Sequence, residues 1–233
     1  MQAVVLAGGL ATRLGARTRE LPKSLLEVAG RTFVAWQLER LQASGFAEVV
    51  LCVGHLGKQI EAFVGDGRRF ALEVRYSYDG PRLLGTAGAL KKALPLLSEH
   101  FLVTYGDSYL PFDYAAPLRD LEAHSNALGT LSVFRNRGQW DASNARVTKE
   151  WVVAYDKHAT PNDFEHIDYG ATALRRTALH SVPAAKASGF DELLHELAKA
   201  RKLRAFQAVR RFYEIGSEGG LAELAAYLTR KPS

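Results

Sequence analysis

Residues 1–28 read MQAVVLAGGLATRLGARTRELPKSLLEV, an apolar strand that runs into a glycine turn. Gly8 and Gly9 carry no Cβ atom, so the backbone there can approach an anion closely and turn its N–H groups toward it. Arg13 adds a forked cation and Lys23 a compact one, and both neutralise phosphate oxygens by charge-assisted hydrogen bonds. The stretch therefore predicts a strand that leads into a polyphosphate-binding loop.

The glycine turn alone is weak evidence, because strands that end in Gly-Gly are common in α/β proteins. It does not fit the dinucleotide-binding pattern G-x-G-x-x-G, since no glycine follows at the required spacing. It is not a P-loop either, since no Gly-Lys-Ser/Thr follows a four-residue gap. Arg13 and Lys23 are the residues that favour a phosphate site over a structural turn.

The same stretch resembles the signature of the sugar-1-phosphate nucleotidyltransferases, roughly LAGG-x-G-T-R-L followed by PK. The chain keeps Leu6, Ala7, Gly8, Gly9, Thr12, Arg13, Leu14, Pro22 and Lys23. Ala11 departs from the pattern, because the family usually has a third glycine there. The resemblance implies that Arg13 and Lys23 are catalytic. It also implies that the nucleotide is contacted by Leu6, Ala7, Gly8, Gly9 and Thr12.

Composition is that of a soluble globular protein: the chain has 233 residues, of which 47% are hydrophobic and 24% charged. No apolar stretch approaches the roughly 20 residues that span a bilayer, and the first strand lacks a basic leader and a cleavage site. We therefore expect a cytoplasmic protein without a membrane partner. The one cysteine, Cys52, lies in an apolar run and is expected to be a buried thiol.

The net charge of +5 permits nucleic-acid binding, but the basic residues are spread along the chain. Only residues 201–204 and 210–211 cluster, and a solvated helix end and a strand face explain them more simply. A positive cleft also serves an enzyme that gathers nucleoside triphosphates and phosphosugars. We expect small-molecule substrates and no nucleic acid, and the sequence leaves self-association open.

Strands alternate with helices through residues 1–127, which predicts a right-handed, mostly parallel sheet. Beyond residue 128 the strands follow one another with few helices between them, so this half is expected to add antiparallel strands and to line the second substrate. No linker or repeat divides the two halves, and we predict one domain over residues 1–233. The predicted class is α/β: a Rossmann-like, doubly wound mixed sheet of the nucleotide-diphospho-sugar transferase type.

Asp107 follows the strand FLVTYGD, at the end of a strand where ligands of open α/β sheets bind. An aspartate there can hold Mg²⁺ against phosphate oxygens, although a loop or capping aspartate would give the same pattern. The family carries a metal-binding aspartate in this Gly-Asp position, in contact with the nucleotide. It commonly has Asp-x-Gly-Thr where this chain has Glu-Ile-Gly-Ser, which makes Glu214 the expected second magnesium ligand.

Residues 80–90 read GPRLLGTAGAL and resemble the family segment whose backbone lies against the nucleobase. The resemblance implies nucleotide contacts at Gly85, Thr86 and Gly88, with Gly54 on the same rim. We expect Thr86 to cap the helix that starts there, and we expect a valine at Gly85 or Gly88 to crowd the base.

Two further segments resemble the family's sugar-phosphate site. The stretch WVVAYDK ends in Lys157, whose charge suits a phosphate monoester, and IDYG resembles the segment under the sugar. The resemblance implies sugar-phosphate contacts at Lys157, Asp168, Tyr169 and Gly170. Each segment is weak by itself, and they support each other because they occur in the family's order.

Together these features predict a Mg²⁺-dependent transfer of a nucleoside monophosphate from a triphosphate to a sugar 1-phosphate. The details favour GTP with heptose or mannose 1-phosphate, in a supply route to capsule or lipopolysaccharide. A uridylyltransferase that acts on N-acetylmuramic acid 1-phosphate or another hexose 1-phosphate stays open. So does a regulatory nucleotide-sugar sensor without catalysis, which Mg²⁺-dependent pyrophosphate release would exclude.

Overall fold

The computed structural model describes residues 1–9, 18–140, 142–158, 164–184 and 186–230. Its strands are β1 (Gln2–Ala7), β2 (Glu27–Val28), β3 (Arg31–Thr32), β4 (Glu48–Val53), β5 (Glu73–Tyr78), β6 (His100–Tyr105), β7 (Ser108–Tyr109), β8 (Gly129–Arg135), β9 (Ala145–Thr148), β10 (Trp151–Tyr155), β11 (His166–Arg175), β12 (Leu203–Ala208) and β13 (Tyr213–Glu214). Its α-helices are α1 (Phe33–Ala43), α2 (Gly57–Val64), α3 (Gly85–Ala93), α4 (Ala116–Ala123), α5 (Phe190–Lys199) and α6 (Glu218–Thr229).

One mixed sheet carries both halves of the chain, in the strand order β5-β4-β1-β6-β11-β8-β12-β10-β9. The strands β5, β4, β1 and β6 pair in parallel. Antiparallel pairing begins at β11, which lies between β6 and β8. The predicted α/β class with a mixed sheet is confirmed, and the antiparallel strands belong to the second half.

Helices cover both faces of this sheet. Along β1, Val4 and Leu6 pack into the apolar layer beneath α3 and α5, whereas Ala3 and Val5 pack into the layer beneath α1, α2 and α4. Strands that are buried on both faces become continuous apolar runs, which is how β1 and β4 read in the sequence. The doubly wound arrangement leaves the carboxyl ends of the parallel strands at one open edge.

Two features at this edge differ from the sequence-based expectations. The segment IDYG, which was not expected to form a strand, is part of β11, and β11 has a shift in register between Asp168 and Thr172. Polar residues interrupt the apolar pattern there, so the strand could not be read from periodicity. The short strands β7 and β13 were not expected at all, and they pair Glu214 with Ser108.

Thr86 does not cap α3, contrary to the expectation. The helix starts one residue earlier at Gly85, and no side chain caps it. The Thr86 hydroxyl instead accepts a hydrogen bond of 2.7 Å from the N–H of Phe190, at the start of α5. A partner from the other half of the chain thus displaces the local capping interaction.

The loops after β1 and β4 meet at Gly8 and Gly54. A Cβ atom on Gly54 would lie 2.8 Å from the carbonyl oxygen of Gly8 and 2.9 Å from Cδ2 of Leu83. A Cβ atom on Gly8 would lie 3.3 Å from the nitrogen of Gly54. The two glycines therefore allow the loops to pack backbone against backbone, which holds the glycine turn in place.

We predict that Gly54→Ala lowers the free energy of unfolding by about 1–3 kcal/mol, because the added methyl group overpacks this contact. Gly9→Ala is the matched control, since no atom of the described residues lies within 4 Å of a Cβ atom there. Chemical denaturation of the two variants beside the unaltered protein measures the difference. Equal stability of the two variants would contradict the close approach.

Candidate active site

A cavity of about 260 Å³ opens at the carboxyl edge of the parallel strands. Its lining combines the glycine turn, the Pro-Lys segment, the start of α3 and the Gly-Asp segment after β6. The residues are Leu6, Ala7, Gly8, Gly9, Pro22, Lys23, Ser24, Cys52, Asp79, Leu83, Gly85, Thr86, Ala89, Tyr105, Gly106 and Asp107. The structure thus brings together the segments that the sequence assigned to a nucleotide.

Lys23 and Asp107 form an ion pair inside this cavity. The Nζ atom of Lys23 donates to Oδ2 of Asp107 at 2.9 Å, and the exposed fractions of the two side chains are 13% and 31%. Lys23 begins a single 3₁₀ turn directly after Pro22, which fixes where its side chain starts. The pair keeps a cation and a carboxylate beside the glycine turn, where a phosphate chain and its counter-ion would lie.

Asp79 lines the cavity, and sequence reasoning missed it. The residue directly follows β5 at the carboxyl edge and is 8% exposed. Oδ2 accepts one long hydrogen bond of 3.5 Å from the N–H of Leu84, and burial raises the pKa of the carboxyl group. Its position at a strand end was the signal available in the sequence.

Gly85 and Gly88, in the segment expected to contact the base, pack closely against the loop before α5. Gly85 has a φ of +71°, and a Cβ atom there would lie 2.5 Å from the carbonyl oxygen of Ser188. A Cβ atom on Gly88 would lie 3.1 Å from the carbonyl oxygen of Lys186. Neither Gly88 nor Gly54 lines the cavity. A valine at Gly85 or Gly88 would therefore push against the loop before α5, and the crowding of a base stays a prediction.

Asp168 lies at the start of β11, beside the end of β10. It accepts hydrogen bonds from the N–H of Gly170 at 2.9 Å and from the hydroxyl of Tyr155 at 3.1 Å. Burial raises the pKa of Asp168, and these two donors and the charge of Lys157 oppose that rise. Lys157 itself is exposed, just beyond β10. The structure therefore groups Lys157, Asp168 and Gly170 at one place.

Tyr169 does not belong to this group, which corrects its expected role at the sugar phosphate. Its side chain is 1% exposed and its ring packs on Phe112, Phe134 and Phe212. Alternate residues of a strand point to opposite faces, so Tyr169 faces the core while Asp168 and Gly170 do not.

The two candidate metal ligands lie on adjacent backbones. β13 pairs with β7 so that Glu214 lies opposite Ser108, and the N–H of Ile215 donates to the carbonyl oxygen of Asp107 at 3.0 Å. Within the described residues, no group of three or more His, Cys, Asp and Glu side chains is arranged to hold a metal.

Tyr105 lies near both the cavity and the segment that carries Asp168. Burial raises the pKa of its hydroxyl well above the ordinary value, and four negative charges raise it further. These charges belong to Asp168, Asp107, Asp191 and Glu214. Tyr105 lines the cavity, and a Cβ atom on Gly170 would lie 3.5 Å from its Cδ2 atom, so this residue is in reach of both the cavity and the segment that carries Asp168. Thr12 and Arg13, the remaining predicted residues, lie outside the described residues.

A family model described as the MobA-like NTP transferase domain matches residues 3–214. The chain belongs to this family. The match covers both the glycine turn and Glu214, so it spans every candidate site residue. In the part of the chain that the structure describes, no helix is long and apolar enough to cross a membrane.

The relatives are named for the transfer of different nucleotides. The N-acetylmuramate alpha-1-phosphate uridylyltransferase of Neisseria meningitidis serogroup B is 41% identical over 117 residues, 50% of this chain and 51% of that protein. The match therefore spans about half the length of that relative. The D-glycero-alpha-D-manno-heptose 1-phosphate guanylyltransferase of Campylobacter jejuni is 25% identical over 216 residues, 93% of this chain and 95% of that protein.

A solved structure confirms the fold. HddC from Yersinia pseudotuberculosis superposes with a TM-score of 0.80 at 21% identity, covering 98% of this chain and 99% of its own. It has also been solved in complex with GMP-PN. The predicted family and the predicted nucleotide-diphospho-sugar transferase fold are both confirmed.

Cys52 provides a chemical test of the cavity floor. Its thiol is 1% exposed, and burial, with a smaller effect from the charge of Asp79, raises its pKa to about 12. A raised pKa lowers the thiolate fraction at pH 8, and only the thiolate reacts with disulfide reagents. We predict that the native protein reacts with Ellman's reagent on the order of a hundredfold more slowly than the protein unfolded in guanidinium. Rapid modification of one thiol in the native protein would contradict the burial.

Proposed function

We propose that this protein transfers a nucleoside monophosphate from a nucleoside triphosphate to a sugar 1-phosphate and releases pyrophosphate. The observation that carries the proposal is the cavity in which the glycine turn, Lys23 and Asp107 meet, next to the group around Asp168. Family membership supports it, as do the activities named for the Neisseria and Campylobacter relatives. We place the reaction in the cytoplasm, where nucleoside triphosphates are available.

In the proposed reaction, an oxygen of the sugar phosphate attacks the α-phosphorus in line. The new phosphorus–oxygen bond forms as the bond between the α-phosphorus and the bridging oxygen breaks, and pyrophosphate takes the electron pair. The attacking phosphate is already ionised, so no general base is needed. Catalysis then consists of positioning and charge neutralisation.

Lys23 and Arg13 are the proposed cations for the triphosphate. The ion pair with Asp107 holds the Lys23 ammonium group within the cavity, close to Gly8 and Gly9. A compact ammonium group can follow the charge as it moves to the leaving pyrophosphate. The role of Arg13, at the transition state, rests on the resemblance of the loop alone.

Asp107 and Glu214 are the proposed Mg²⁺ ligands, and their chemistry fits this ion. Mg²⁺ is usually bound by one or two carboxylates together with substrate phosphates. Asp107 directly precedes β7, and Glu214 lies in β13, the strand that pairs with β7. When bound, the ion would neutralise the phosphate oxygens around the reacting phosphorus. Asp107 also accepts from Lys23 at 2.9 Å, so the same carboxylate would hold the ammonium group near the phosphates.

Lys157, Asp168 and Gly170 are the proposed acceptor side. The charge of Lys157 acts on Asp168, so an ammonium group and a carboxylate are close enough to bind different parts of one phosphosugar. Lys157 would compensate the phosphate, and Asp168 would accept hydrogen bonds from sugar hydroxyl groups. Since Gly170 lies at the shifted register of β11, the sugar can approach the backbone there.

We further propose that the base is guanine. The Campylobacter relative, which matches over nearly its whole length, is named a guanylyltransferase. The carboxylate of Asp79 is an acceptor with one long hydrogen bond in the described structure, and guanine offers two adjacent donors, N1–H and N2–H. Uracil and thymine offer a single N–H between two carbonyl oxygens, which a carboxylate would repel. A buried carboxylate therefore matches guanine best.

We predict that Asp79→Asn lowers the ratio of kcat/KM for GTP to that for UTP by about tenfold or more. Losing a charged hydrogen bond costs about 1.5–3 kcal/mol, and an amide can pair with uracil. Asp66→Asn is the control, because the Asp66 side chain is 63% exposed in a loop. A wild-type preference for UTP, or an unchanged ratio in Asp79→Asn, would contradict the choice of guanine.

The acceptor we favour is heptose or mannose 1-phosphate, for surface polysaccharides. The Neisseria relative favours a second candidate, uridylyl transfer to N-acetylmuramate 1-phosphate, because it is 41% identical over the matched half. The two candidates differ in base and in acceptor charge. They can therefore be separated by substrate choice alone.

The decisive experiment measures pyrophosphate release from four nucleoside triphosphates with a panel of sugar 1-phosphates, with and without Mg²⁺. We predict that Asp107→Asn nearly abolishes Mg²⁺-dependent release, because one of two charged ligands is lost. Glu214→Asp is expected to keep part of it, since the charge stays and only the reach shortens. The absence of pyrophosphate release with every pair would refute the transferase function. Normal activity of Asp107→Asn across a Mg²⁺ titration would refute only the assignment of the ion.

A further inference from the structure

Gln37 is a buried polar residue on the core-facing side of α1. Its neighbours on that side, Val34, Leu38 and Leu41, are apolar and pack into the layer beneath the helix, and Gln37 itself is 1% exposed. A polar side chain in such a place costs free energy unless its polar atoms are hydrogen-bonded. The contacts of the Gln37 amide therefore indicate what a glutamine does there that a leucine could not do.

The Gln37 amide spans the turn that carries Asp107. Its Nε2 group donates to the carbonyl oxygen of Tyr105 at 2.7 Å and to that of Ser108 at 3.2 Å. An amide nitrogen has two hydrogen atoms, so one side chain serves both acceptors. Tyr105 ends β6 and Ser108 begins β7, so the two residues between the anchored carbonyl groups are Gly106 and Asp107.

Backbone contacts hold the rest of this turn. The N–H of Gly106 donates to the carbonyl oxygen of Leu6 at 2.9 Å, and a Cβ atom on Gly106 would lie 2.9 Å from Cβ of Ala7. The N–H of Ile215 donates to the carbonyl oxygen of Asp107 at 3.0 Å. Gln37 therefore adds a side-chain link from α1 to a turn that is otherwise held by β1 and by the residue after β13.

The other end of the amide shows that stability alone does not favour a glutamine here. Among the described residues, the buried Oε1 atom of Gln37 has no hydrogen-bond partner. An unpaired buried acceptor offsets part of what the two donated hydrogen bonds contribute. A methionine would fill a similar volume without an unpaired acceptor, and it would leave the two carbonyl groups of the turn without this donor.

We propose that Gln37 is a positioning residue, which holds the two carbonyl groups that flank the turn and so fixes where the Asp107 carboxylate lies. The inference rests on the proposed function, because it names the residue that aligns a proposed Mg²⁺ ligand. That carboxylate must reach both the Lys23 ammonium group, at 2.9 Å, and a divalent cation. Mg²⁺ demands near-ideal octahedral geometry, so a displaced carboxylate binds it more weakly.

Gln2 provides a matched control at the other end of β6. It is 2% exposed, its Nε2 group donates to the carbonyl oxygen of Leu96 at 3.0 Å, and its Oε1 atom accepts from the N–H of Ser98 at 2.7 Å. The loop that it holds leads into β6, whereas Gln37 holds the loop that leaves β6. Gln2→Met therefore removes a buried amide–carbonyl link of the same kind, at the edge of the sheet opposite to Asp107.

The first experiment measures the Kd of a non-hydrolysable GTP analogue by calorimetry, with Mg²⁺ and with EDTA, so it needs no turnover. We expect Gln37→Met to weaken binding about tenfold with Mg²⁺ and less than about threefold with EDTA, because residues that hold a metal ligand in place act on metal affinity. Gln2→Met should change neither value by more than about twofold.

The double variant tests whether Gln37 acts through Asp107. Asp107→Asn should lose most of the gain in affinity that Mg²⁺ gives, and adding Gln37→Met should then change the Kd by less than about twofold. An equal effect of Gln37→Met in both backgrounds, or an effect of the same size with EDTA, would overturn the positioning role. No gain from Mg²⁺ in the unaltered protein would overturn this role together with the assignment of the ion.

The second experiment compares hydrogen–deuterium exchange of the ligand-free variants. We expect residues 105–109 to exchange about fivefold faster in Gln37→Met and the N–H of Ser98 to do so in Gln2→Met, each without the other change. Unaltered exchange of residues 105–109 in Gln37→Met would overturn the link. Gln37→Leu repeats both measurements with a second apolar side chain, so the result does not depend on one variant folding.

The two experiments also separate this role from the transferase function. If binding and exchange follow these expectations but no sugar 1-phosphate yields pyrophosphate, the transferase function fails and the role of Gln37 stands. If pyrophosphate is released and Gln37→Met binds the analogue with Mg²⁺ as tightly as the unaltered protein does, the role of Gln37 fails and the transferase function stands.

Discussion

The antiparallel pairing of β11 with β6 is the interaction on which the site depends. It joins the two halves of the chain through five consecutive residue pairs, from Ala171 with Thr104 to Arg175 with His100. Because the strands run in opposite directions, the beginning of β11 reaches the same edge as the end of β6. The acceptor candidates that precede this pairing therefore lie beside Asp107. Parallel pairing would send them to the opposite edge of the sheet.

This edge concentrates negative charge. Several carboxylates act on the hydroxyl of Tyr105, while the cation with a direct contact in the cavity is Lys23 on Asp107. A nucleoside triphosphate would add more negative charge. A divalent cation, together with the basic residues of the glycine-turn segment, would balance it. In the ion pair of Lys23 and Asp107, the carboxylate is the group that would bind a metal ion, and the ammonium group is the one that would bind a phosphate chain.

The cavity at the carboxyl edge and a second cavity of about 410 Å³ have different linings. The first is lined by glycines, by apolar side chains such as Leu83, and by Asp79 and Asp107. The second is lined by Trp140, Arg211 and Glu214, among others. Asp107 and Glu214 therefore line different cavities, although the N–H of Ile215 donates to the carbonyl oxygen of Asp107.

The sequence by itself determined the family and the doubly wound first half, and it predicted that the glycine turn and Lys23 share a site. These features are local: β1 and β4 are continuous apolar runs, and the glycines with Lys23 form one contiguous motif. Only the tertiary structure decided that Thr86 binds the N–H of Phe190, that Tyr169 faces the core and that Asp79, Trp140 and Arg211 line cavities. Each of these depends on which face a strand presents or on contacts between residues far apart in the chain. Periodicity and local motifs cannot specify such contacts, because they arise when the sheet closes and brings the loops at its edge together.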